Sequence, residues 1–258
     1  MVSLAVMRYL LLSDIHGNAV ALEAVLDHAR QRRWEKVLFL GDLVGYYPQP
    51  ERVTNMLREL EPVACLLGNH DELLLAMAAG HPVPAQPGDI VTRVVARHVE
   101  ALSSGSIAFL GTFLESACAE RWQAVHGALR QRWEYMDTQQ SAQANFPLLE
   151  RPLCFVGHTH VPRVFASIQT GDTELWRNVS FKREQAVYRI PPRAKVIFNP
   201  GSVGQPRDGS PLASYAVYDD ELSLFEHYRV AYDLTAVQRS VREAGYPEML
   251  ASRLAVGR

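Results

Sequence analysis

Five short clusters of carboxylate, imidazole and amide side chains, each beside a glycine, constrain this chain more than any other feature. They are Asp14-x-His16, Gly41-Asp42, Gly68-Asn69-His70-Asp71, His126-Gly127 and Gly157-His158-Thr159-His160. Each closes a short apolar run that reads as a strand: residues 8–13, 36–40, 62–67, 121–125 and 153–156. Between the first three, residues 18–30 place Leu22, Val25, Leu26 and Ala29 at helical spacing, and 51–60 reads as a helix with Pro50 at its start. Strand, polar loop and helix in repetition predict a largely parallel sheet with helices outside. Ligands in such folds bind at the carboxyl ends of the strands, where these clusters stand.

Residues 72–112 look helical, with a Pro- and Gly-rich break at 80–88, and 139–149 reads as another helix. Within 89–102, Val91, Val94, Val95, His98, Ala101 and Leu102 share one face. From 163 onward the pattern turns β-rich. Strands at about 163–168, 173–179, 185–190, 195–198, 213–219 and 222–229 are expected to form a second, antiparallel sheet. A helix after Asp233, stopped by Gly245, and a short one beyond Pro247 close the chain. No repeat or linker interrupts it, so residues 1–258 read as one domain with a lid-like helical insertion at about 72–112.

At 258 residues and 48% apolar, the chain can bury a large core. A net charge of −2 without long charge runs argues against extended nucleic-acid binding or a polybasic membrane patch. Cys65, Cys118 and Cys154 are scattered, which excludes a disulfide framework or a cysteine zinc site. The apolar start lacks a basic region and a cleavage pattern, and it runs straight into Asp14 and His16. A cytoplasmic protein is expected, translated from Met1 or from Met7 with residues 1–6 as a loose extension. No run reaches the roughly 18 apolar residues of a membrane span.

The clusters offer oxygen and nitrogen without thiolate, a set that suits Mn, Fe, Zn or a similar divalent ion. Seven such ligands exceed the needs of one ion; two ions about 3.5–4 Å apart, sharing a carboxylate, use them all. Turn formation accounts for Asp, Asn and Gly but not for histidines at these offsets. His158 and His160, two apart at a strand end, share a side. His28, His81, His98 and His227 lie outside the clusters and read as surface or packing residues.

In order and spacing the clusters resemble the signature of the calcineurin-like metallophosphoesterases: D-x-H, G-D, G-N-H-D/E, H and G-H-x-H. The segment NPGSVGQPRD, residues 199–208, resembles the N-P-G-S-x-x-x-P-R loop of the small bacterial and archaeal phosphodiesterase-like branch. The resemblance implies an α/β fold, a four-layer αββα sandwich of two mixed β-sheets with helices outside. It implies that Asp14, His16 and His160 hold one metal and Asn69, His126 and His158 a second, with Asp42 bridging. The cofactors would be two divalent ions, manganese first, with Fe, Zn, Ni or Co as alternatives. His70 would stand over the metals as the catalytic acid, with Asp71 accepting its hydrogen bond and fixing its tautomer. A metal-bridging hydroxide would then attack phosphorus.

The expected substrate is a small phosphate mono- or diester, nucleotide-like, with Arg207, Tyr46 and Tyr47 as candidate contacts. Asn199 and Gly201 are expected to close their loop against the His158–His160 turn. The segments GDLVGYYPQP and SVGQPRDG also look like those of diadenosine-tetraphosphate hydrolase relatives, an alternative substrate class. A protein Ser/Thr phosphatase is a weaker alternative, because Asp42 is not followed by the Asp-Arg-Gly of those enzymes. Ala128-Leu129 after His126-Gly127, where relatives often carry Ser-Pro, alters a loop but removes no ligand. The intact ligand set disfavours a non-catalytic scaffold, and the charge disfavours a repair nuclease. Homo-oligomerisation is compatible with this reading, and no membrane partner is expected.

Overall fold

A computed structural model describes residues 7–83 and 89–258. Its chain begins with β1 (Arg8–Leu12), whose three leucines are fully buried on alternating faces. Leu10 and Leu12 join one core and Leu11 another, as the two-residue period of a strand requires. β2 (Lys36–Phe39) repeats the division: Val37 and Phe39 face the first core, Leu38 the second. A strand covered on both sides loses polar alternation and reads as a continuous apolar run.

The remaining elements follow in chain order. α1 (Ala19–Ala29) and α2 (Pro50–Glu59) flank β2 in sequence, and β3 (Ala64–Cys65) leads to α3 (Asn69–Ala78), α4 (Ile90–Ala101) and α5 (Ser104–Leu110). Next come β4 (Ser116–Cys118), β5 (Trp122–Val125), α6 (Gln139–Asn145) and β6 (Leu153–Phe155). β7 (Arg163–Thr170), β8 (Thr173–Ser180), β9 (Gln185–Arg189), β10 (Ala194–Asn199), β11 (Ala213–Asp219) and β12 (Leu224–Val230) precede α7 (Leu234–Glu243) and α8 (Glu248–Leu254).

Two mixed six-stranded sheets result among the described residues, in the orders β3-β2-β1-β11-β12-β9 and β4-β5-β6-β10-β7-β8. Between them lies an aromatic core in which Phe198 and Phe225 stack at 4.0 Å, flanked by Phe155 and Tyr218. The other face of the first sheet packs against α1 and α2. The apolar sides of α3, α4 and α5 (Leu74, Val95, Leu110) enter that same core. No helix among the described residues is long and apolar enough to cross a membrane, and the three cysteines are free thiols.

The structure corrects the sequence reading at four places. The strands beyond residue 163 do not form one antiparallel sheet. β7, β8 and β10 extend the second sheet, while β9, β11 and β12 extend the first from the β1 side. Alternation reports which faces are buried but not which strand is the neighbour, and β10 pairs parallel with β6. The third strand shrinks to two residues, and the short edge strand β4 went unrecognised. The first helix of the 72–112 stretch starts earlier, at Asn69. Residues 84–88 of the expected 80–88 break, and the extension 1–6, lie outside the described residues.

Two buried histidines fasten the loops beside the sheets. His98 accepts a hydrogen bond at Nδ1 from the Gly45 amide at 3.1 Å. His227 Nε2 lies 2.7 Å from Ser214 Oγ, whose own hydrogen goes to the Pro200 carbonyl, so His227 is the donor. Burial lowers both histidines to about 3, the Arg229 charge adding to the effect at His227. The unfolded chain therefore takes a proton near pH 6.5 that the folded chain refuses until about 3. Their contribution to stability is complete above the unfolded value and is lost as pH falls below it. We expect the unfolding free energy of His227→Gln relative to the parent to shift in the variant's favour by about 1.4 kcal/mol per pH unit below pH 6. Urea denaturation between pH 7 and 4.5 reads this, and a pH-independent difference would contradict it.

Candidate metal centre

Parallel pairing of β1 with β2, of β2 with β3, and of β5 with β6 directs the strand ends carrying all five clusters to one edge of the sandwich. The chain leaves those ends through tight left-handed turns. Asp14 (φ 54°), His16 (51°), Asp42 (60°), His158 (65°) and His160 (59°) occupy a region that costs a non-glycine residue about 1–2 kcal/mol each. Main-chain bonds hold them there: Asp14 N–H to Gly41 O at 2.9 Å, His16 N–H to Asp42 O at 3.0 Å and Gly157 N–H to His126 O at 2.8 Å. The His158 amide reaches across to both Asp14 carboxylate oxygens at 3.2 Å, tying the second sheet to the first.

Two groups of ligand atoms form. Asp14, His16, Asp42 and His160 bring one donor atom each within 4.8 Å of one another, as do Asp42, His126 and His158. Asp42 belongs to both. All six are buried. The ring orientations follow from carbonyls that can only accept. His16 Nδ1 donates to Val44 O (2.9 Å), His126 Nδ1 to Leu40 O (2.6 Å) and His160 Nδ1 to Gln205 O (2.6 Å). Each of these rings turns a lone pair at Nε2 inward. His158 is reversed: Nε2 donates to Trp133 O at 3.1 Å, so Nδ1 faces the group.

These lone pairs meet one another. His16 Nε2 lies 3.1 Å from His160 Nε2, and His160 Nε2 lies 3.2 Å from Asp14 Oδ1. His126 Nε2 stands 3.3 Å from Asp42 Oδ2 without hydrogen-bond geometry, and the buried Asn69 Oδ1 has no partner. Acceptors facing acceptors in a dry site repel unless a cation lies between them. The donor set therefore fits divalent metal.

The protonation tendencies of the metal-free groups divide, Asp42, His16, His158 and His160 toward ligation and Asp14 and His126 toward holding a proton. Burial pushes Asp14 up to about 7, partly opposed by His126. Burial alone would raise Asp42 too, but His126, His70 and His16 around it outweigh that and hold it well below the carboxylate range. Burial opposes a charge on His126, but Asp42 and Asp14 overcome it and raise the ring to about 9. Burial takes His16 and His160 well below their ordinary value and His158 to about 4, keeping them neutral as ligands must be.

The bond expected between His70 and Asp71 is not there. Asp71 accepts from the amides of Asp42 (2.8 Å), Leu43 (2.9 Å), Val44 (3.2 Å) and Gly68 (3.1 Å), while His70 Nδ1 has no partner. A carboxylate at the start of α3 meets four main-chain donors, which engage both its oxygens. His70 lies edge-on to His16 at 4.7 Å and beside Tyr46 at 4.8 Å.

Tyr46 borders the centre, 4.6 Å from the His16 ring, and its hydroxyl accepts from Arg207 at 3.1 Å. Tyr47 is fully buried with its hydroxyl taken by Gln205, so it offers no face to a ligand, contrary to the sequence expectation. Asn199 Nδ2 donates to Gly157 O at 2.6 Å and its Oδ1 accepts from Gly201, closing that loop on the His158–His160 turn as expected. Sequence reasoning passed over Trp133 and Tyr135, which cover the second group; Tyr135 stacks on His158 at 4.2 Å. The aromatic pair just after the His126-Gly127 cluster was the available signal.

Comparison with known proteins bears on the family and the fold. The sequence model of the calcineurin-like phosphoesterase superfamily domain matches residues 7–221. The uncharacterized protein MJ0912 of Methanocaldococcus jannaschii is 30% identical over 96% of this chain and 97% of its own. A metallophosphoesterase structure from Sphaerobacter thermophilus is 35% identical, with a TM-score of 0.84 over 98% of this chain and 100% of the other. The hypothetical protein PH1004 of Pyrococcus horikoshii OT3 shares the fold at 18% identity, TM-score 0.74, over 98% and 99% of the two chains.

Gly68 is the tightest neighbour of the shared carboxylate, since a Cβ there would stand 2.0 Å from Asp42 Oδ1. Gly68→Ala is expected to displace Asp42 and lower metal content well below that of the parent, at a stability cost of about 1–3 kcal/mol. Metal analysis and thermal unfolding check this; parental metal content in the variant would contradict it.

Proposed function

The chain belongs to the calcineurin-like phosphoesterase superfamily and is a phosphoric ester hydrolase; we propose that it uses two divalent ions to hydrolyse small, nucleotide-like phosphate mono- or diesters. The observation that carries this reading is the sharing of Asp42 between two buried ligand groups. Asp14, His16 and His160 would hold one ion, and Asn69, His126 and His158 the other. Bound there, the ions would neutralise phosphate charge and lower the pKa of a water from about 15.7 toward 7.

The chain's own residues supply the rest. Main-chain carbonyls at Val44, Leu40, Gln205 and Trp133 fix the four ligand histidines in one tautomer each, so no ring reorganises when charge develops. Asp71 is a positioning residue: by gathering the amides of Asp42, Leu43 and Val44 it fixes the turn that presents the Asp42 carboxylate. His70, with its ring against His16 and Tyr46 beside the first ligand group, is assigned the role of giving a proton to the leaving oxygen. Burial lowers its pKa in the metal-free site, and the negative charge of a bound phosphate would favour the protonated ring that the acid role needs.

Asp42→Asn is expected to lose metal and activity together. His70→Ala is expected to keep parental metal content while turnover falls roughly 10²–10⁴-fold. The assay is a panel of p-nitrophenyl phosphate, its bis-ester and cyclic nucleotides with manganese, beside metal analysis. Parental turnover of an unactivated ester by His70→Ala would remove the role given to that residue. Absence of both bound metal and hydrolysis in the parent would favour a scaffold instead.

A further inference from the structure

We infer that Arg207 and Arg253, with the Tyr46 ring between them, form a subsite for a second phosphoryl group of the substrate, next to the one at the metal centre. The inference rests on the hydrolase reading above and names the substrate class it leaves open: esters carrying a phosphoanhydride.

The geometry is that of two cations on one ring. Arg207 Cζ and Arg253 Cζ each lie 5.6 Å from the centroid of Tyr46, within the range of a cation–π contact. The same ring touches His16 at 4.6 Å and His70 at 4.8 Å, so it separates the guanidinium pair from the metal ligands by a single aromatic side chain. Arg253 comes from α8, which is docked on the Tyr46-Tyr47 turn through Leu250, Ala251 and Leu254. That helix lies beyond residue 221, where the match to the superfamily model ends.

Among the described residues, neither Arg207 nor Arg253 has a side-chain carboxylate within ion-pair distance, whereas Arg229 pairs with Asp208 and Arg8 with Asp219 and Glu226. At Arg207, though, burial is outweighed by Tyr46, Tyr135 and Asp14, which raise its pKa. Both side chains are partly buried. Burial lowers the pKa of Arg253, and the neighbouring Arg207 charge adds to it. Two like charges held together out of water are unfavourable unless an anion offsets them.

The guanidinium donors are not all spent. Arg207 uses Nε and Nη2 on Gln205 and Tyr46, with the Tyr135 hydroxyl beside it. Arg253 uses Nε on the Arg258 main-chain oxygen, leaving both Nη atoms. Forked, permanently charged donors of this kind match phosphoryl oxygens. Tyr46 sits in the left-handed region at φ 59°, a conformation held at some cost where its ring meets both arginines.

The test uses two anions that cannot be hydrolysed, inorganic phosphate and methylenediphosphonate, titrated by calorimetry into the full-length protein with manganese in excess. The parent is expected to bind methylenediphosphonate at least tenfold more tightly than phosphate. Arg253→Gln should lower that preference about tenfold or more, Arg207→Gln should lower it independently, and Arg253→Lys should restore part of it. In steady state, the kcat/KM ratio of diadenosine tetraphosphate to p-nitrophenyl phosphate should fall in parallel. An unchanged preference in both glutamine variants overturns the subsite even if the parent hydrolyses every ester. A preference lost in the glutamine variants, beside a parent that hydrolyses none of the esters, would support the subsite and remove the hydrolase reading.

Discussion

Everything in this molecule is arranged around a set of lone pairs that repel one another. Three Nε2 atoms, one Nδ1 and two carboxylates converge in a largely buried space, with contacts of 3.1–3.3 Å. A protein tolerates such a cluster only if the surrounding structure prevents it from opening. Here the restraint is main-chain: each ring is held by a carbonyl on its outer nitrogen, and the Asp42 turn is held by the Asp71 carboxylate. The same restraint that raises the energy of the metal-free cluster prepares it for cations.

The two-sheet sandwich supplies that rigidity. Parallel strands in both sheets bring their carboxyl ends to one edge, and antiparallel strands on their flanks extend the cores without adding ligands. The first group draws Asp14, His16 and Asp42 from the first sheet and His160 from the second. Neither sheet could hold both groups alone. The aromatic core centred on Phe198 and Phe225 therefore acts at a distance, fixing the separation on which the contact between His158 and Asp14 depends.

Much of this was legible in the sequence because ligand chemistry is local. Histidines at fixed offsets beside glycine and aspartate, each closing an apolar run, are what a metal site needs and what neither turn formation nor core packing demands. All seven proposed ligands stand at the same edge. The failures are equally physical. Asp71 was assigned to His70 on the family resemblance, yet its carboxylate is taken by four main-chain amides instead. Tyr47 was read with Tyr46 as a ligand contact, but the turn points one ring to the centre and the other into the core. Arg253 was passed over because only the docking of α8 brings it to Tyr46.

By itself the sequence determined the candidate ligand types and the strand-loop-helix order that places them at strand ends, and the resemblance of that pattern to a known family pointed to the reaction class. The first two follow from spacing within a few residues, where covalent geometry leaves little choice. Only the tertiary structure decided which sheet each late strand joined, which nitrogen of each histidine faces inward, and which arginines flank Tyr46. These depend on partners distant in sequence, such as Gln205 for His160 and Trp133 for His158. No local pattern encodes such a partner, because its identity is set by how the two sheets pack.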